Sequence, residues 1–367
     1  MTLAAVSPPY LRQRLDTGQV MRQVVIATLP GMAVMVWFFG HGVLINVMLA
    51  VTAALAAEAA VLRLRGRPVA RTLGDCSALL TGVLLGLALP PLTPFWMTLL
   101  GAALAIVFGK QLYGGIGFNP FNPAMIGYAI LLISFPLEMT SWLLPRGADG
   151  ASPPGLLEAA RLIFGFTLDG ATGGQVDAMS GATPLDDFKY RENLTVAEWQ
   201  AASNLTGTFA GRGWDWVNLA FLGGGLYLLL YRRLFTWHAP VAMLASLALC
   251  AALFWDGGSS ASHGSPLFHL LGGATMFGAF FIVTDPVSSA TSPQGRLVFG
   301  AGVGVLLYAI RAWGNYPDAV AFAVLLMNLA APLIDHYTRP RIYGHTRGHT
   351  RGHARQSSSQ AGKERPS

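Results

Sequence analysis

The sequence is dominated by long apolar blocks, and these constrain the fold more than any other feature. They run for roughly 16 to 22 residues, close to the length of about 20 residues that an α-helix needs to cross the hydrocarbon core of a bilayer. Charged residues make up only 11% of the chain, whereas a soluble domain carries about 25%. We therefore predict an all-α polytopic membrane protein and exclude a soluble one.

Ten blocks are predicted to form transmembrane helices, five on each side of a long polar segment. Because five crossings invert the second copy of a repeat, this pattern favours two inverted five-helix halves. The ten predicted spans cover residues 24–40, 42–62, 76–91, 94–109, 122–136, 215–231, 238–255, 266–283, 296–310 and 318–336.

The distribution of basic residues predicts the orientation. With the N-terminus in the cytoplasm, 18 Lys and Arg residues fall in inner segments and only 6, Arg311 among them, in outer segments. This asymmetry is what the positive-inside rule predicts. The basic inner rim faces anionic lipid, so the net charge of +6 requires no nucleic-acid partner. The predicted organisation is a cytoplasmic N-terminal segment (1–23), a first membrane half (24–136), an outer loop (137–213), a second membrane half (214–337) and a disordered basic cytoplasmic tail (338–367).

Two stretches break the helical pattern between apolar spans. One is "KQLYGGIGFNPFNPAM", residues 110–125, and the other is "TDPVSSATSPQG", residues 284–295. Irregular backbone at membrane depth is tolerated only where protein or a water-filled cavity satisfies its polar groups. We therefore predict broken helices around a binding site at these two places. Two ordinary cytoplasmic turns are the alternative.

Acidic residues near the membrane are candidates for function. Glu58 lies near the inner end of the second span and is followed by Arg63 and Arg65. We expect its side chain to snorkel toward these arginines, with membership in an ion path as the alternative. Asp75 and Asp285 precede helical segments, and we expect both carboxylates to cap the backbone N–H groups there.

The outer loop contains an unusual patch of small residues, "DAMSGATPLDD", residues 177–187. Nothing in the patch is large enough to pack a core, and Pro184 is expected to break a helix. A threonine among such small neighbours, here Thr183, offers an accessible hydroxyl. A hydroxyl can attack a phosphoryl group when a partner activates it and a cation neutralises the phosphate charge. From the residues alone, an idle turn is the favoured interpretation.

The triplet Gly-Ala-Thr occurs three times, ending at Thr172, Thr183 and Thr275. Only Thr183 has a serine three residues earlier, Ser180, and an aspartate six residues earlier, Asp177. Thr275 lies in a predicted span, where no soluble enzyme could reach it. Thr183 is therefore the candidate for modification.

The run from Asp177 to Thr183 resembles the Asp-x-x-Ser/Thr-Gly-Ala-Thr signature at which a flavin transferase attaches FMN to threonine through a phosphoester. The likeness continues through 110–125, 276–296 and 316–345. Nearly the whole chain before the tail is similar to the family that contains the D subunit of the Rnf (Rsx) electron-transport complex. The related B subunit of the sodium-pumping NADH:quinone reductase is longer at its N-terminus, so the short start here favours the Rnf branch.

The resemblance implies a covalent FMN on Thr183, with Asp177, Ser180, Gly181 and Ala182 read by the flavin transferase. It implies a redox-driven ion translocase in the bacterial inner membrane that couples electron transfer to Na⁺ or H⁺ movement, with Thr183 in the periplasm and both termini in the cytoplasm. A second, noncovalent flavin, riboflavin, is implied within the bundle, and we expect it near the two broken stretches. The implied partners are the other subunits of the complex (A, B, C, E and G), the transferase and membrane lipid.

The competing functional class is a small-solute channel or transporter without redox activity. Ten spans with two broken stretches suit such a pathway equally well, but a channel has no reason to carry the full motif around Thr183. The chain has only two cysteines, Cys76 and Cys250, too few for an iron–sulfur cluster, which needs about four ligands. No metal site and no catalytic residue are predicted, so electrons must come from and leave to other subunits.

Overall fold

The computed structural model describes residues 16–148, 150–165, 179–191, 193–314, 316 and 319–338. Asp177, Thr172 and the tail beyond residue 338 lie outside the described residues. The described chain is mostly helical, as the apolar blocks predict.

The first membrane half consists of six helices, of which the third is short. A single 3₁₀ turn, Gln111–Tyr113, follows the fifth helix at the start of the first broken stretch. The helices are α1 (Thr17–Phe39), α2 (Gly42–Leu64), α3 (Val69–Leu73), α4 (Ser77–Ala88), α5 (Phe95–Gly109) and α6 (Pro123–Ser134).

The described part of the segment between the halves contains four short helices and one pair of two-residue strands. The strands β1 (Trp142–Leu143) and β2 (Ser180–Gly181) pair antiparallel. Apart from this pair and an isolated bridge, the described part of the chain agrees with the all-α prediction. The helices are α7 (Pro136–Thr140), α8 (Leu156–Phe164), α9 (Pro184–Lys189) and α10 (Val196–Ala202).

The second half again consists of six helices, two of which continue into π turns, Tyr227–Tyr231 and Gly278–Ile282. The helices are α11 (Trp214–Leu226), α12 (His238–Leu253), α13 (Pro266–Leu271), α14 (Thr275–Phe277), α15 (Pro293–Trp313) and α16 (Val320–Tyr337).

Five helical segments in the described residues are long and apolar enough to cross a membrane. They are α1, α2, α5 with its 3₁₀ turn, α15 and α16, and three shorter apolar helices, α4, α6 and α12, accompany them. All ten predicted blocks contain helix. The eighth differs from the prediction because it is broken at Gly272–Ala274 into α13 and α14.

Packing follows the same scheme in both halves. Helix α2 packs on α4 and α5, and α12 packs on α13 and α15. Between the halves, α1 packs on α11 and α6 packs on α16, so equivalent first and last helices meet. The α1–α11 crossing is so close that a Cβ on Gly224 would overlap the Ala27 carbonyl oxygen. Small residues of this kind allow apolar helices to approach closely.

The turns gather at two ends of the bundle. At the end that carries the 137–213 segment, here called the loop end, Val196 N donates to Gly258 O over 3.0 Å. At the opposite end, Arg67 Nη1 donates to Gly114 O over 2.8 Å. The described basic residues at the opposite end are Arg22, Arg63, Arg65, Arg67, Arg71, Lys110, Arg232, Arg233 and Arg296.

Candidate functional site

The acceptor motif is held in place by the short strand pair. Trp142 lies opposite Gly181 and Leu143 opposite Ser180, and Leu144 N donates to Met179 O over 3.2 Å. A Cβ on Gly181 would lie 2.7 Å from Leu144 Cδ2, so glycine fits the close approach at this position. Backbone pairing therefore fixes the chain two residues before Thr183.

Thr183 is the N-cap of α9. Its Oγ1 accepts a hydrogen bond from Asp186 N over 3.2 Å and lies 2.6 Å from Asp186 Oδ2, to which it donates. The expectation that Pro184 breaks a helix was wrong, because Pro184 begins α9 at the first helical position, where no N–H is required. The threonine hydroxyl is therefore half-buried and oriented, not part of an open loop.

Helix α9 is anchored to the second membrane half. The Phe188 ring packs on Phe268 with ring centroids 4.6 Å apart, and Lys189 Nζ donates to Gly314 O. Burial lowers the pKa of the Lys189 ammonium group, and the nearby Asp186 carboxylate opposes that shift. The element that carries Thr183 thus contacts the second half, whereas β2 pairs with β1 after the first half.

A cavity opens beside Thr183, here called the Thr183 cavity. Its volume is about 80 Å³, and Thr183, Pro184 and Asp186 lie on its wall. Both halves contribute to its lining, which is predominantly apolar. The aromatic residues of the lining are Tyr128, Trp142, Trp214, Phe221, Phe277 and Tyr316.

The other described Gly-Ala-Thr threonine has a different environment. Thr275 is fully buried, and its Oγ1 donates to His269 O and Gly272 O, both over 2.8 Å. Its hydroxyl thus satisfies carbonyls at the break between α13 and α14. The expected burial of Thr275 is confirmed.

That break is stabilised by Asn218, a buried residue of α11 that the sequence did not single out. Asn218 Nδ2 donates to Leu271 O and Gly273 O, both over 2.8 Å, and Oδ1 accepts from Met276 N over 3.0 Å. Gly273 has a φ of 55°, a conformation that favours glycine. The Gly-Gly pair of "LLGGATMFG" is the signal that could have located the break.

Arg311 contributes to the same region. Its place between apolar blocks predicted an outer segment, but it is buried within α15. Its Nη1 donates to His269 O over 2.9 Å and its Nη2 to Gly272 O over 3.3 Å. A break in an apolar helix exposes carbonyls, and this guanidinium supplies donors for them.

A second polar site lies at the opposite end of the bundle. Glu58 Oε1 lies 2.5 Å from Lys110 Nζ, and both side chains are buried. Gln111 Nε2 also donates to Glu58 Oε1 over 2.7 Å. The prediction that Glu58 snorkels toward Arg63 was wrong, because Glu58 lies on the buried face of α2 and a buried carboxylate needs a cation beside it.

The same network includes the predicted cap at Asp75. Asp75 Oδ1 accepts from Ser77 N over 2.8 Å, which confirms the capping role at the start of α4. Ser77 Oγ in turn accepts from Lys110 Nζ over 2.5 Å. The network thus ties α4 and the first broken stretch to α2.

The two broken stretches meet. Asn122 Nδ2 donates to Asp285 Oδ2 over 3.5 Å. Asp285 Oδ1 accepts from Val287 N over 3.1 Å within a turn. The prediction that Asp285 caps a helix was wrong, because the next helix begins only at Pro293 and has Ser292 as its N-cap. Together the stretches line one cavity of about 100 Å³, here called the Lys110 cavity. The two stretches therefore contact each other across the halves. The cavity lining includes Thr81, Lys110, Asn119, Phe280, Phe281 and Asp285.

Comparison with known proteins places this architecture in a family. The sequence matches the family described as "NQR2, RnfD, RnfE family" over residues 4–344. It is 58% identical over 347 residues to a protein of Ectopseudomonas mendocina that is named as the D subunit of an "ion-translocating oxidoreductase complex", covering 95% of this chain and 97% of the relative. Proteins of the same name from Cellvibrio japonicus and Cronobacter sakazakii are 54% and 53% identical, covering 95% and 94% of this chain and 96% and 100% of theirs. The chain therefore belongs to the NQR2, RnfD, RnfE family.

Proposed function

We propose that this chain is the membrane subunit of an ion-translocating oxidoreductase complex and that it carries FMN covalently on Thr183. The relatives are named as such a subunit, and this chain aligns with them over nearly their whole length. The observation that carries the proposal is the position of the motif threonine on the wall of an aromatic-lined cavity between the two helical halves. A channel would need neither the motif nor this cavity beside it.

The residues around Thr183 fit a flavin. Cofactor pockets typically have apolar and aromatic walls with few polar groups, and the Thr183 cavity has walls of this kind. Trp142 and Trp214 lie with their ring centroids 5.0 Å apart on its wall, where they can pack against a planar ring. FMN supplies the electron-transfer chemistry that the chain's own side chains lack.

Attachment requires the Thr183 hydroxyl to lose its proton. In the proposed step a bond forms between Thr183 Oγ1 and the phosphorus of the FMN unit, and the bond from that phosphorus to the leaving nucleotide breaks. Asp186 Oδ2 is the group that receives the hydroxyl proton, because Oγ1 already donates to it over 2.6 Å. A flavin transferase supplies the flavin nucleotide and the cation that neutralises its phosphates.

The Lys110 cavity is our proposed site for the noncovalent riboflavin. Its wall combines the Phe280 and Phe281 rings with the polar side chains of Thr81 and Asn119. Aromatic rings can stack on a flavin, and hydroxyl and amide groups can bond to its ring and ribityl oxygens. Neither half forms this cavity alone.

We further propose ten membrane spans in the bacterial inner membrane, with the loop end in the periplasm and both termini in the cytoplasm. Two observations support this orientation: turns that alternate along the chain gather at opposite ends, and the basic residues concentrate at the end opposite the loop. Na⁺ or H⁺ is the translocated ion, and the Glu58–Lys110 pair lies on the proposed ion path, because ionisable groups buried at membrane depth mark such paths.

The proposal is tested with the complex purified from membranes. We expect a band of flavin fluorescence that survives a denaturing gel at the position of this subunit. Mass spectrometry should find the mass of FMN on the peptide that contains Met179 to Leu185. An unlabelled subunit, or FMN on another residue, contradicts the proposal. The purified subunit alone should oxidise neither NADH nor ferredoxin, since both reactions require partners.

A further inference from the structure

We propose that a third cavity, at the loop end, binds an oxyanion that also carries a hydroxyl group. Inorganic phosphate in its protonated forms and the phosphoglycerol headgroup of a phospholipid share this chemistry. The cavity, here called the basic cavity, has a volume of about 340 Å³, whereas the Thr183 and Lys110 cavities have about 80 and 100 Å³. Leu185 lines both the basic cavity and the Thr183 cavity, so the two are neighbours. The inference does not depend on which flavins the chain carries.

Three segments of the chain form the wall of the basic cavity. They are α9 with the two residues that follow it, the turn 260–263 together with α13, and the last turn of α15. The cavity therefore exists only because the segment that carries Thr183 packs on the second half. Its polar lining includes Lys189, Arg191, Ser260, His263, His269 and Arg311.

The charge of the wall favours an anion. Lys189, Arg191 and Arg311 are the charged side chains in the described part of the lining, and all of them are basic. Burial lowers the pKa of the Lys189 ammonium group and of the Arg191 guanidinium group, although Asp186 and Asp256 respectively oppose these shifts. The two carboxylates thus offset the cost of burying these cations only in part, and an anion in the cavity would offset more of it.

The cationic groups are positioned to bind an oxyanion. The Lys189 ammonium group has three N–H donors, and Gly314 O accepts from one of them. Arg191 is held in the wall by carbonyl groups, since Nη1 donates to Phe188 O over 2.7 Å and Nη2 to Ser260 O over 3.1 Å. Carbonyl oxygens carry no net charge, so these bonds fix the guanidinium without neutralising it. Lys189 therefore offers donors and Arg191 a fixed positive charge, which are the partners that anionic oxygens require.

His269 supplies the reason for a hydroxyl group on the ligand. Its side chain lies on the cavity wall and is 2% exposed, and Nε2 lies 2.7 Å from His263 O. Because a carbonyl oxygen only accepts, Nε2 carries the hydrogen, and Nδ1 of the neutral ring is an acceptor. Nδ1 has no hydrogen-bond partner among the described residues. A buried acceptor without a donor is costly, and a ligand hydroxyl would satisfy it.

The surroundings of the cavity fit the level of the lipid headgroups. Trp313 follows Ala312 of the lining, is 56% exposed, and packs on His263 with ring centroids 5.6 Å apart. Tryptophan is enriched where a membrane protein meets the headgroup region. A phospholipid headgroup can therefore approach this cavity from the membrane, and free phosphate can approach it from the aqueous side.

The first test measures ligand binding to the complex purified in a detergent that removes its native lipid. Radiolabelled inorganic phosphate is measured by equilibrium dialysis. Phosphatidylglycerol and phosphatidylcholine are offered in mixed micelles, and the lipid retained after washing is quantified by mass spectrometry. Binding of phosphate identifies the free ion as a ligand, and binding of phosphatidylglycerol without phosphate identifies the lipid headgroup. Phosphatidylcholine should not bind, because its headgroup has no hydroxyl group. A complex that binds neither phosphate nor phosphatidylglycerol overturns the proposal.

Variants assign the binding to this cavity. Lys189→Met should weaken it at least about tenfold, because a hydrogen bond to a charged group is lost. His269→Gln should weaken it by about twofold to tenfold, since the glutamine amide can donate to His263 O but has no acceptor at the position of Nδ1.

The matched control is Arg212→Met. Arg212 also donates to a glycine carbonyl, Gly147 O, but lines none of the three cavities, so this variant should bind as the unmodified complex does. Unchanged affinity in Lys189→Met, or an equal loss in Arg212→Met, overturns the proposal. Flavin fluorescence of the same samples in a denaturing gel reports separately on the proposed function.

A second test leaves the basic side chains in place. Ala261 is exposed and lines the cavity, whereas the exposed Ala202 lines none of the three. Ala261→Cys and Ala202→Cys are each treated with an anionic and with a cationic methanethiosulfonate reagent, and labelling is read on the corresponding peptide by mass spectrometry. Ala261→Cys should prefer the anionic reagent more strongly than Ala202→Cys does. Phosphate or phosphatidylglycerol should slow the labelling of Ala261→Cys only. Labelling of Ala261→Cys that neither compound slows contradicts the site.

Discussion

Lys110 Nζ lies 2.5 Å from Glu58 Oε1 in the interior of the first half, where neither charge reaches solvent. Removing one partner of a buried ion pair leaves an uncompensated charge and costs about 3–5 kcal/mol. We therefore expect Lys110→Met to lower the melting temperature of the detergent-solubilised complex strongly. The double variant Glu58→Gln/Lys110→Met should recover much of the loss, because no lone charge then remains.

Arg63 is the control for this prediction, since it is exposed and lies on the same helix. Arg63→Gln should change the melting temperature little. If Arg63→Gln destabilises the complex as much as Lys110→Met does, Glu58 is paired with Arg63, and the assignment of a buried Glu58–Lys110 pair is wrong.

Thr183→Val should abolish the fluorescent band while the protein remains inserted in the membrane. The substitution keeps the shape of the side chain and removes the only atom that can form the phosphoester. Thr275→Val is the control, because Thr275 ends another Gly-Ala-Thr triplet. This variant should retain the label, since the buried Thr275 hydroxyl donates hydrogen bonds to two carbonyl groups. Flavin retained in Thr183→Val rules out Thr183 as the attachment site.

Asp186→Asn should slow flavin attachment by at least about tenfold, since general-base contributions are about 10²–10⁴-fold. Asparagine keeps the size of the side chain but cannot take the proton from Thr183 Oγ1. The rate is followed as the growth of in-gel fluorescence with purified transferase. Asp187→Asn is the matched control, because Asp187 Oδ2 accepts from Trp199 Nε1 and not from Thr183. Equal rates for both variants argue against a role for Asp186.

Asn218→Leu should destabilise the second half. It leaves Leu271 O, Gly273 O and Met276 N without their partner, and each buried unsatisfied group costs about 1–3 kcal/mol. Thermal unfolding of the complex measures the loss. Leu219→Ala, at the neighbouring and more exposed position, should have a much smaller effect. Similar losses in the two variants contradict the assignment of Asn218 as the bridge across the break.

The orientation is tested with reporter fusions to truncated chains. A periplasm-active phosphatase fused after residue 185 should be active, and a cytoplasm-fluorescent protein fused after residue 345 should fluoresce. The reason is the excess of basic residues at the end opposite the loop. The opposite result is an inactive phosphatase after residue 185 and a fluorescent protein that fluoresces when fused at the same position. This result would reverse the orientation and place Thr183 in the cytoplasm.

Local features of the chain could be predicted from the sequence because they depend on neighbouring residues. The apolar blocks contain helices at the expected places. Asp75 accepts the N–H group of Ser77 at the start of α4, as expected of a capping carboxylate. Each of these depends on residues within a few positions in the chain.

Long-range pairing could not be predicted in the same way. In a helix that is apolar on all sides, periodicity does not reveal which face is buried. The sequence therefore predicts the nearby Arg63 as the partner of Glu58, whereas the partner in the structure is Lys110, 52 residues away. The break at Gly272 was missed because Asn218, which satisfies it, comes from another helix. The predicted effect of Pro184 was wrong because a proline breaks a helix in its interior but is accommodated at the first helical position.

The anchoring of Thr183 has a mechanical consequence. On its N-terminal side the chain is hydrogen-bonded through β2 to β1, which follows the last helices of the first half. On its C-terminal side α9 is fastened to the second half through Phe188 and Lys189. Thr183 thus lies in a short segment that connects the two halves. Any sliding of one half against the other must pull on this residue, the proposed attachment site of the flavin.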